Sequence, residues 1–317
     1  MIYTVTLNPA VDRELTVPTI EFDSVLRASA WRVDYGGKGF NVSRMLRALG
    51  SDSVALGFAG GRSGELLRDG LESLGIGTDF VWVAGETRTN VSIVTEAHDH
   101  YVKANEPGPT ISPAEEIALV RKVRQLAKAG DWWVLAGSLP PGVPASIYMQ
   151  LIGDIQAAGA WVILDSSGDA LRDGCAARPF LAKPNDVEIH KLTGLPVGNM
   201  AEIAAAAQAM QRSGVDNVIV SLGKKGALLA DAESVWLAAS PQIEEKNPIG
   251  AGDSMVGGLV WGLSQGLPLP QALRWGIACG AATASMSGTA VGDRELVESL
   301  AAQVNVSREP LSAIPQP

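Results

Sequence analysis

One carboxylate stands directly after a run of small residues. Gly250, Ala251 and Gly252 lead into Asp253 at what the following pattern marks as a helix start. Side chains this small let main-chain N–H groups close on a phosphate, and the helix start adds positive partial charge in the same direction. A carboxylate beside such a cradle can orient an attacking hydroxyl and take its proton while a phosphoryl group transfers. A capped helix start without any ligand accounts for the same four residues, so the segment needs partners before it means catalysis.

Several other segments offer partners. Gly36, Gly37, Lys38, Gly39, Phe40 and Asn41 put an ammonium, an amide and open backbone donors at a second helix start. The glycines also suit a tight turn at positive φ, but a cation at the positive end of a helix is unfavourable unless an anion joins it. Arg88 opens a strand-like stretch, where its guanidinium suits a bidentate grip on a sugar phosphate or plain solvation. Asp12 follows the first strand as an acceptor for sugar hydroxyls or as a turn residue. Ser138 offers a hydroxyl from the loop 137–142, which follows an apolar strand. Asn185 and Glu188, after Lys183, lie one helical turn apart, a spacing that fits Mg2+ bound through water and equally fits a capping box. Ser221, Gly223 and Gly226 end another strand where a nucleotide's phosphates or ribose could meet them, and Lys224 and Lys225 beside them read as solvated. No GxxxxGK[ST], GxGxxG or HExxH motif occurs, which removes P-loop, Rossmann dinucleotide and zincin readings. Among the histidines, His98 and His100 fall at an expected hairpin tip, where exposure outweighs catalysis.

The elements that must position these residues follow a βα rhythm. Short apolar, β-branched runs alternate with stretches of helical period, the pattern of a mostly parallel sheet covered on both faces. Ile2 to Leu7 opens it, and Val42, Met45, Leu46 and Leu49 form the buried stripe of a helix stopped at Gly50. Ser112, Pro113 and Glu115 make a capping-box start. Trp132 to Ala136, Trp161 to Leu164, Phe180 to Ala182 and Val218 to Val220 are unbroken runs that end just before polar or glycine-rich loops. In an open α/β sheet those carboxyl ends line the ligand crevice. After Asp253 the chain reads as helical. Residues 11–35 and 87–103 break the rhythm with alternating segments and no helix, and predict a small β-sheet lid over the crevice. One face of such a sheet has little to pack on, which predicts a second copy against it. The core is then 1–10, 36–86 and 104–304, and 305–317 is expected to be a mobile tail.

Composition narrows the class. The 317 residues are 46% hydrophobic and 19% charged, as in a globular protein. The balance of 25 Lys+Arg against 34 Asp+Glu gives −9, which disfavours nucleic acid and anionic membrane, so an anionic ligand needs local positive charge. The 2 cysteines, Cys175 and Cys279, have neither disulfide-framework nor zinc spacing, and no signal-like or membrane-spanning run is read, so a cytoplasmic location is expected.

In chain order, Gly36 to Val42, Gly137 to Gly142, Lys183 to Asn185 and Gly250 to Ser254 resemble the ribokinase-like sugar kinases of the PfkB type. The resemblance runs from Thr6, Leu7, Asn8 and Pro9 to about residue 304. It implies a three-layer α/β/α core and a β-sheet lid that forms a homodimer interface. Asp253 would be the catalytic base and Gly250, Ala251 and Gly252 the anion hole. Asp12, Gly37, Lys38, Asn41, Arg88, Ser138 and Asp253 would hold a phosphosugar, with Lys38 and Arg88 gripping its existing phosphate. Lys183, Asn185, Ser221, Gly223, Gly226 and Gly252 would surround ATP, and Asn185 and Glu188 would order Mg2+ through water. Asp165 is a further candidate for organising metal or phosphate, and Arg27 for reaching a partner subunit's site. Within the family the phosphosugar kinases look nearest. Lys38 resembles the enzymes acting on fructose 1-phosphate and tagatose 6-phosphate, and Thr87 to Val91 with Gly252 to Gly258 are more similar to the former. The expected reaction is D-fructose 1-phosphate to fructose 1,6-bisphosphate, with tagatose-6-phosphate kinase and 6-phosphofructokinase as alternatives. A non-catalytic sugar-phosphate sensor would not need Asp253, and a nucleoside kinase would not need Lys38 with Arg88.

Overall fold

The structure, a computed structural model, describes residues 1–97, 100–288 and 290–309. His98 and the prolines of the tail lie outside them. The chain begins β1 (Ile2–Thr6), β2 (Ala10–Val17), β3 (Ala30–Gly36), α1 (Lys38–Ala48), β4 (Val54–Ala59) and α2 (Gly61–Ser73). Two short strands, β5 (Gly77–Thr78) and β6 (Val81–Trp82), precede β7 (Arg88–Thr95) and β8 (Tyr101–Asn105). Next come α3 (Pro113–Leu126), β9 (Trp132–Ala136), α4 (Ile147–Ala157), β10 (Trp161–Asp165), α5 (Gly168–Ala176), β11 (Leu181–Ala182), α6 (Asp186–Thr193) and α7 (Met200–Arg212). The last third holds β12 (Asn217–Ser221), β13 (Ala227–Ala230), β14 (Val235–Ala238), α8 (Ala251–Ser264), α9 (Leu269–Ala284), α10 (Arg294–Ala301) and β15 (Val306–Glu309).

The large sheet runs β15-β14-β13-β12-β11-β10-β9-β1-β4-β5, with β6 also on β4. From β12 to β5 every pairing is parallel. Continuous apolar strands arise because both faces are covered. In β9, Trp133 and Leu135 enter the core beneath α3, α4, α5 and α7, while Val134 and Ala136 enter the core beneath α1, α8, α9 and α10. Strands β10 and β12 divide in the same way. Each fully buried aliphatic side chain contributes about 1.5–3 kcal/mol of transfer free energy. Ser112 caps α3 with Glu115 reaching back to its N–H, as the capping-box spacing predicts.

Beyond β12 the sheet turns antiparallel through β13, β14 and β15. Residues 305–317 are expected to be a mobile tail, and here the structure differs: Val306–Glu309 pairs with β14. Arg308 explains the docking, since its Nε donates to Ser234 Oγ at 2.7 Å and its guanidinium lies over Trp236.

The small sheet runs β3-β2-β7-β8, with β2 and β7 parallel although far apart in sequence. Its near end packs on α2, where Val11, Val33 and Tyr35 meet Leu67 and Leu71. The two faces differ in chemistry. Register places Arg32, Glu14, Ser92 and Lys103 in one row and Asp34, Asp12, Asn90 and Asn105 in the next on the same face. The opposite face carries Trp31, Leu15, Ile93 and Val102 in a row, with Trp31 72% exposed. Among the described residues, no helix is long and apolar enough to cross a membrane.

Candidate active site

Asp253 sits in the first turn of α8, and the chain reaches it through Gly250, whose φ of +79° is left-handed and favours glycine. The carboxylate is buried, and Asn41 Nδ2 in the first turn of α1 donates to its Oδ2 at 2.8 Å. Helices α1 and α8 pack directly on each other, with Val42, Met45 and Val256 in one core, so the Asp253 carboxylate and its amide partner are fixed by the same contacts that build that layer. Burial, then the like charge of Asp165, pushes the Asp253 carboxyl up to about 6, against the Asn41 hydrogen bond and the Lys38 and Lys183 ammonium groups. A carboxylate poised there is ionised at neutral pH and still basic enough to accept a proton.

Asp165 ends β10 and is 1% exposed. Lys38 Nζ contacts its Oδ1 at 3.0 Å and Lys183 Nζ its Oδ2 at 3.2 Å. Burial works against ionisation of Asp165, but Lys183 and Lys38 overcome it and hold the carboxyl below its usual range. The sheet makes this meeting possible: β10 and β11 are neighbours, and Lys183 N donates to Leu164 O just before Asp165. Lys183 Nζ lies 3.8 Å from where a β-carbon on Gly252 would stand, so it reaches the glycine cradle. Lys38, expected to grip the phosphosugar's existing phosphate, is here ion-paired to Asp165 close to Asp253.

Arg88, expected to grip the phosphosugar's phosphate, is partly engaged by backbone carbonyls. Its guanidinium donates to Asn8 O and Glu106 O at 3.0 Å each and to Pro9 O at 3.4 Å. Those carbonyls belong to the segments leading into β2 and out of β8, so Arg88 staples two lid connections together. Five N–H donors less three leaves two for a ligand. Burial lowers the Arg88 pKa, opposed by Asp12 and Glu106. Asp12, on the polar lid face, accepts from Asn90 Nδ2 at 2.8 Å, and burial raises its pKa. Gly37 caps α1 at φ 147°, and Ser138 stands exposed on the loop after β9. Gly137 O in that loop accepts from Tyr148 Oη and Ser166 Oγ, which fixes the turn. Arg27 is exposed in the connection between β2 and β3.

A cavity of about 430 Å3 opens beside the cradle, lined by Ser221, Gly223, Gly226 and Gly252 together with Ile277 and Ala281 of α9. Its apolar wall of α9 residues and Pro241 to Ile243 escaped the sequence reading, because a helix stripe facing a ligand looks like one facing a core. Lys183 and Asn185 do not line it. Asn185 and Glu188 form a reciprocal capping box: Asn185 Oδ1 accepts from Glu188 N at 2.8 Å, and Glu188 Oε2 accepts from Asn185 N at 2.9 Å. Among the described residues no cluster of three or more His, Cys, Asp or Glu could enclose a metal ion. The cap leaves Glu188 Oε1 as an acceptor, which suits a hydrated Mg2+ held through water and not an inner-sphere cage.

The sequence profile of the pfkB family carbohydrate kinases matches residues 5–295. A 1-phosphofructokinase of Bacillus subtilis is 38% identical over 308 residues, covering 97% of this chain and 100% of its own length. Phosphofructokinase-2 of Escherichia coli in complex with fructose-6-phosphate superposes with a TM-score of 0.89 at 32% identity, covering 95% of this chain and 98% of that one. A ribokinase of Arabidopsis thaliana, at 21% identity and TM-score 0.76 over 95% of this chain and 98% of its own, shares the fold.

Proposed function

We propose, for a chain that belongs to the pfkB family of carbohydrate kinases, that its reaction is transfer of the ATP γ-phosphoryl group to D-fructose 1-phosphate, giving fructose 1,6-bisphosphate and ADP. The observation that carries this reading is Asp253: a buried carboxylate at a glycine-rich helix start, oriented by Asn41 and flanked by two lysines. The sugar's free primary hydroxyl attacks the γ-phosphorus and its proton passes to Asp253. The bond from that phosphorus to the β,γ-bridging oxygen breaks, and ADP leaves with the electron pair. N–H groups of the turn 250–252 stabilise charge on the transferring oxygens. Ser221, Gly223 and Gly226 would line the nucleotide's cavity. Asn185 and Glu188 would hold Mg2+ through water, and when bound it supplies neutralising charge to the ATP phosphates.

The sugar's existing phosphate goes to the two free donors of Arg88, with Ser138 and Gly37 beside it and Asp12 on the sugar hydroxyls. That remote phosphate supplies binding energy for positioning, so fructose without it is a poor substrate. The name of the Bacillus subtilis relative favours fructose 1-phosphate, and the fructose-6-phosphate complex of the Escherichia coli relative keeps a second reading open. The apolar lid row of Trp31, Leu15, Ile93 and Val102 supports a homodimer through the lid, from which Arg27 would reach the partner's site. ADP release measured with fructose 1-phosphate, fructose 6-phosphate, tagatose 6-phosphate, fructose and adenosine tests the assignment. Highest kcat/KM with fructose 1-phosphate supports it. Equal turnover of fructose and fructose 1-phosphate, or no ADP from any acceptor, rejects it.

A further inference from the structure

We propose that Asp165 is a positioning residue, holding Lys38 and Lys183 at the point of phosphoryl transfer while touching no substrate itself. Each of its carboxylate oxygens is taken by one ammonium, at 3.0 and 3.2 Å, and the residue is 1% exposed. It presents no open face to a ligand. Lys38 does, with its side chain 38% exposed, and the buried Lys183 sets its Nζ beside Gly252 in the cradle. Three elements converge here, the start of α1, the end of β10 and the end of β11, and Asp165 ties them together through its two ion pairs. Two ammonium groups this close repel, and without the carboxylate between them both stay near but neither is held in one position. With it, both stay aimed at a phosphoryl group arriving between Asp253 and the cavity.

This inference rests on the reading of Asp253 as the base. The groups acting on Asp253 are Asp165 from β10, Lys38 and Asn41 from α1, and Lys183 after β11. Asp165 favours the protonated form of Asp253, and the lysines and Asn41 favour the ionised form. Asp165→Asn therefore leaves the lysines unopposed and moves the acid limb of the pH profile to lower pH, whereas Lys38→Met moves it to higher pH. The limb reports charge coupling to Asp253, and a residue without a positioning role would give losses that multiply in the double variant.

The test uses the full chain with fructose 1-phosphate and ATP. It measures kcat, both KM values and melting temperature from pH 5 to 9 for wild type, Asp165→Asn, Lys38→Met and the double variant, and titrates Mg2+. Asp165→Asn is expected to lose about 10- to 100-fold in kcat, with its acid limb displaced downward. The double variant should lose less than the product of the single losses, because an unanchored Lys38 has little left to give. An unmoved acid limb, multiplicative losses, or full recovery in excess Mg2+, which would make Asp165 a metal ligand, overturns the proposal. Should Asp165→Asn fail to fold, Asp165→Glu decides: a kcat loss that vanishes in the Lys38→Met background supports the cluster, and one that persists there overturns it. Asp253→Asn separates the two readings, since near wild-type turnover in that variant removes the base itself, and an inactive one leaves only the role of Asp165 at stake.

Discussion

At Asp253 the same burial sets both reactivity and cost. With its carboxyl at about 6 against an ordinary 3.8, kcat/KM should fall tenfold per pH unit below about pH 6. An acid limb near 4 would show that the carboxyl is not desolvated in the free enzyme. Because the folded pKa is raised, the folded state binds the proton more tightly, and stability falls as pH rises from 3.8 to about 6. Above that the fold carries the full cost, on the order of 3 kcal/mol. Asp253→Asn should thus lose several orders of magnitude in kcat yet melt higher than wild type at pH 8, with the gap narrowing at pH 5. Asp253 and its cradle were legible because four consecutive residues carry them. The Lys38–Asp165–Lys183 cluster was not, because its members are distant in sequence and meet only where the start of α1 reaches the neighbouring ends of β10 and β11. The hydrogen bond from Asn41 to the base was hidden for the same reason, since it depends on α1 packing against α8.

Elements show what periodicity can and cannot reveal. Trp132 to Ala136 and Val218 to Val220 read as buried strands because both faces of the parallel sheet are covered. A strand of two residues such as β5 carries too few positions for any period, β11 was legible only as the unbroken run Phe180 to Ala182, and β13 to β15 were lost among loops. The lid strands were legible as alternation, but their long-range pairing was not: β2 lies parallel to β7. Arg88 joins those strands to the core through three carbonyls, so Arg88→Lys keeps the charge and loses the staple. We expect KM for the phosphosugar to rise about tenfold, KM for ATP to stay, and stability to drop by roughly 1–3 kcal/mol. An unchanged sugar KM would remove Arg88 from that half of the site. Gly226, at φ +98°, lines the cavity beside Gly252, and a β-carbon there would run into Ala238 O. Gly226→Ala should therefore push β13 off β14 and raise KM for ATP, leaving that for the sugar little changed.

For the whole molecule, the two faces of the lid set the expected assembly. One face carries Asp12 and Asn90, hydrogen-bonded to each other, and the opposite face leaves Trp31 and Val102 exposed. A second lid laid on that row would bury it, and sedimentation at micromolar concentration should give a dimer. Trp31→Asp, which puts a charge in the middle of the contact, should shift it to monomer and weaken phosphosugar binding. A wild-type monomer at every concentration would refute the shared lid. An indole in water emits at longer wavelength than one in an apolar contact, so the lid carries its own optical reporter. Dilution should redden the emission of wild type but not of Trp31→Phe, because the remaining tryptophans stay in the same surroundings.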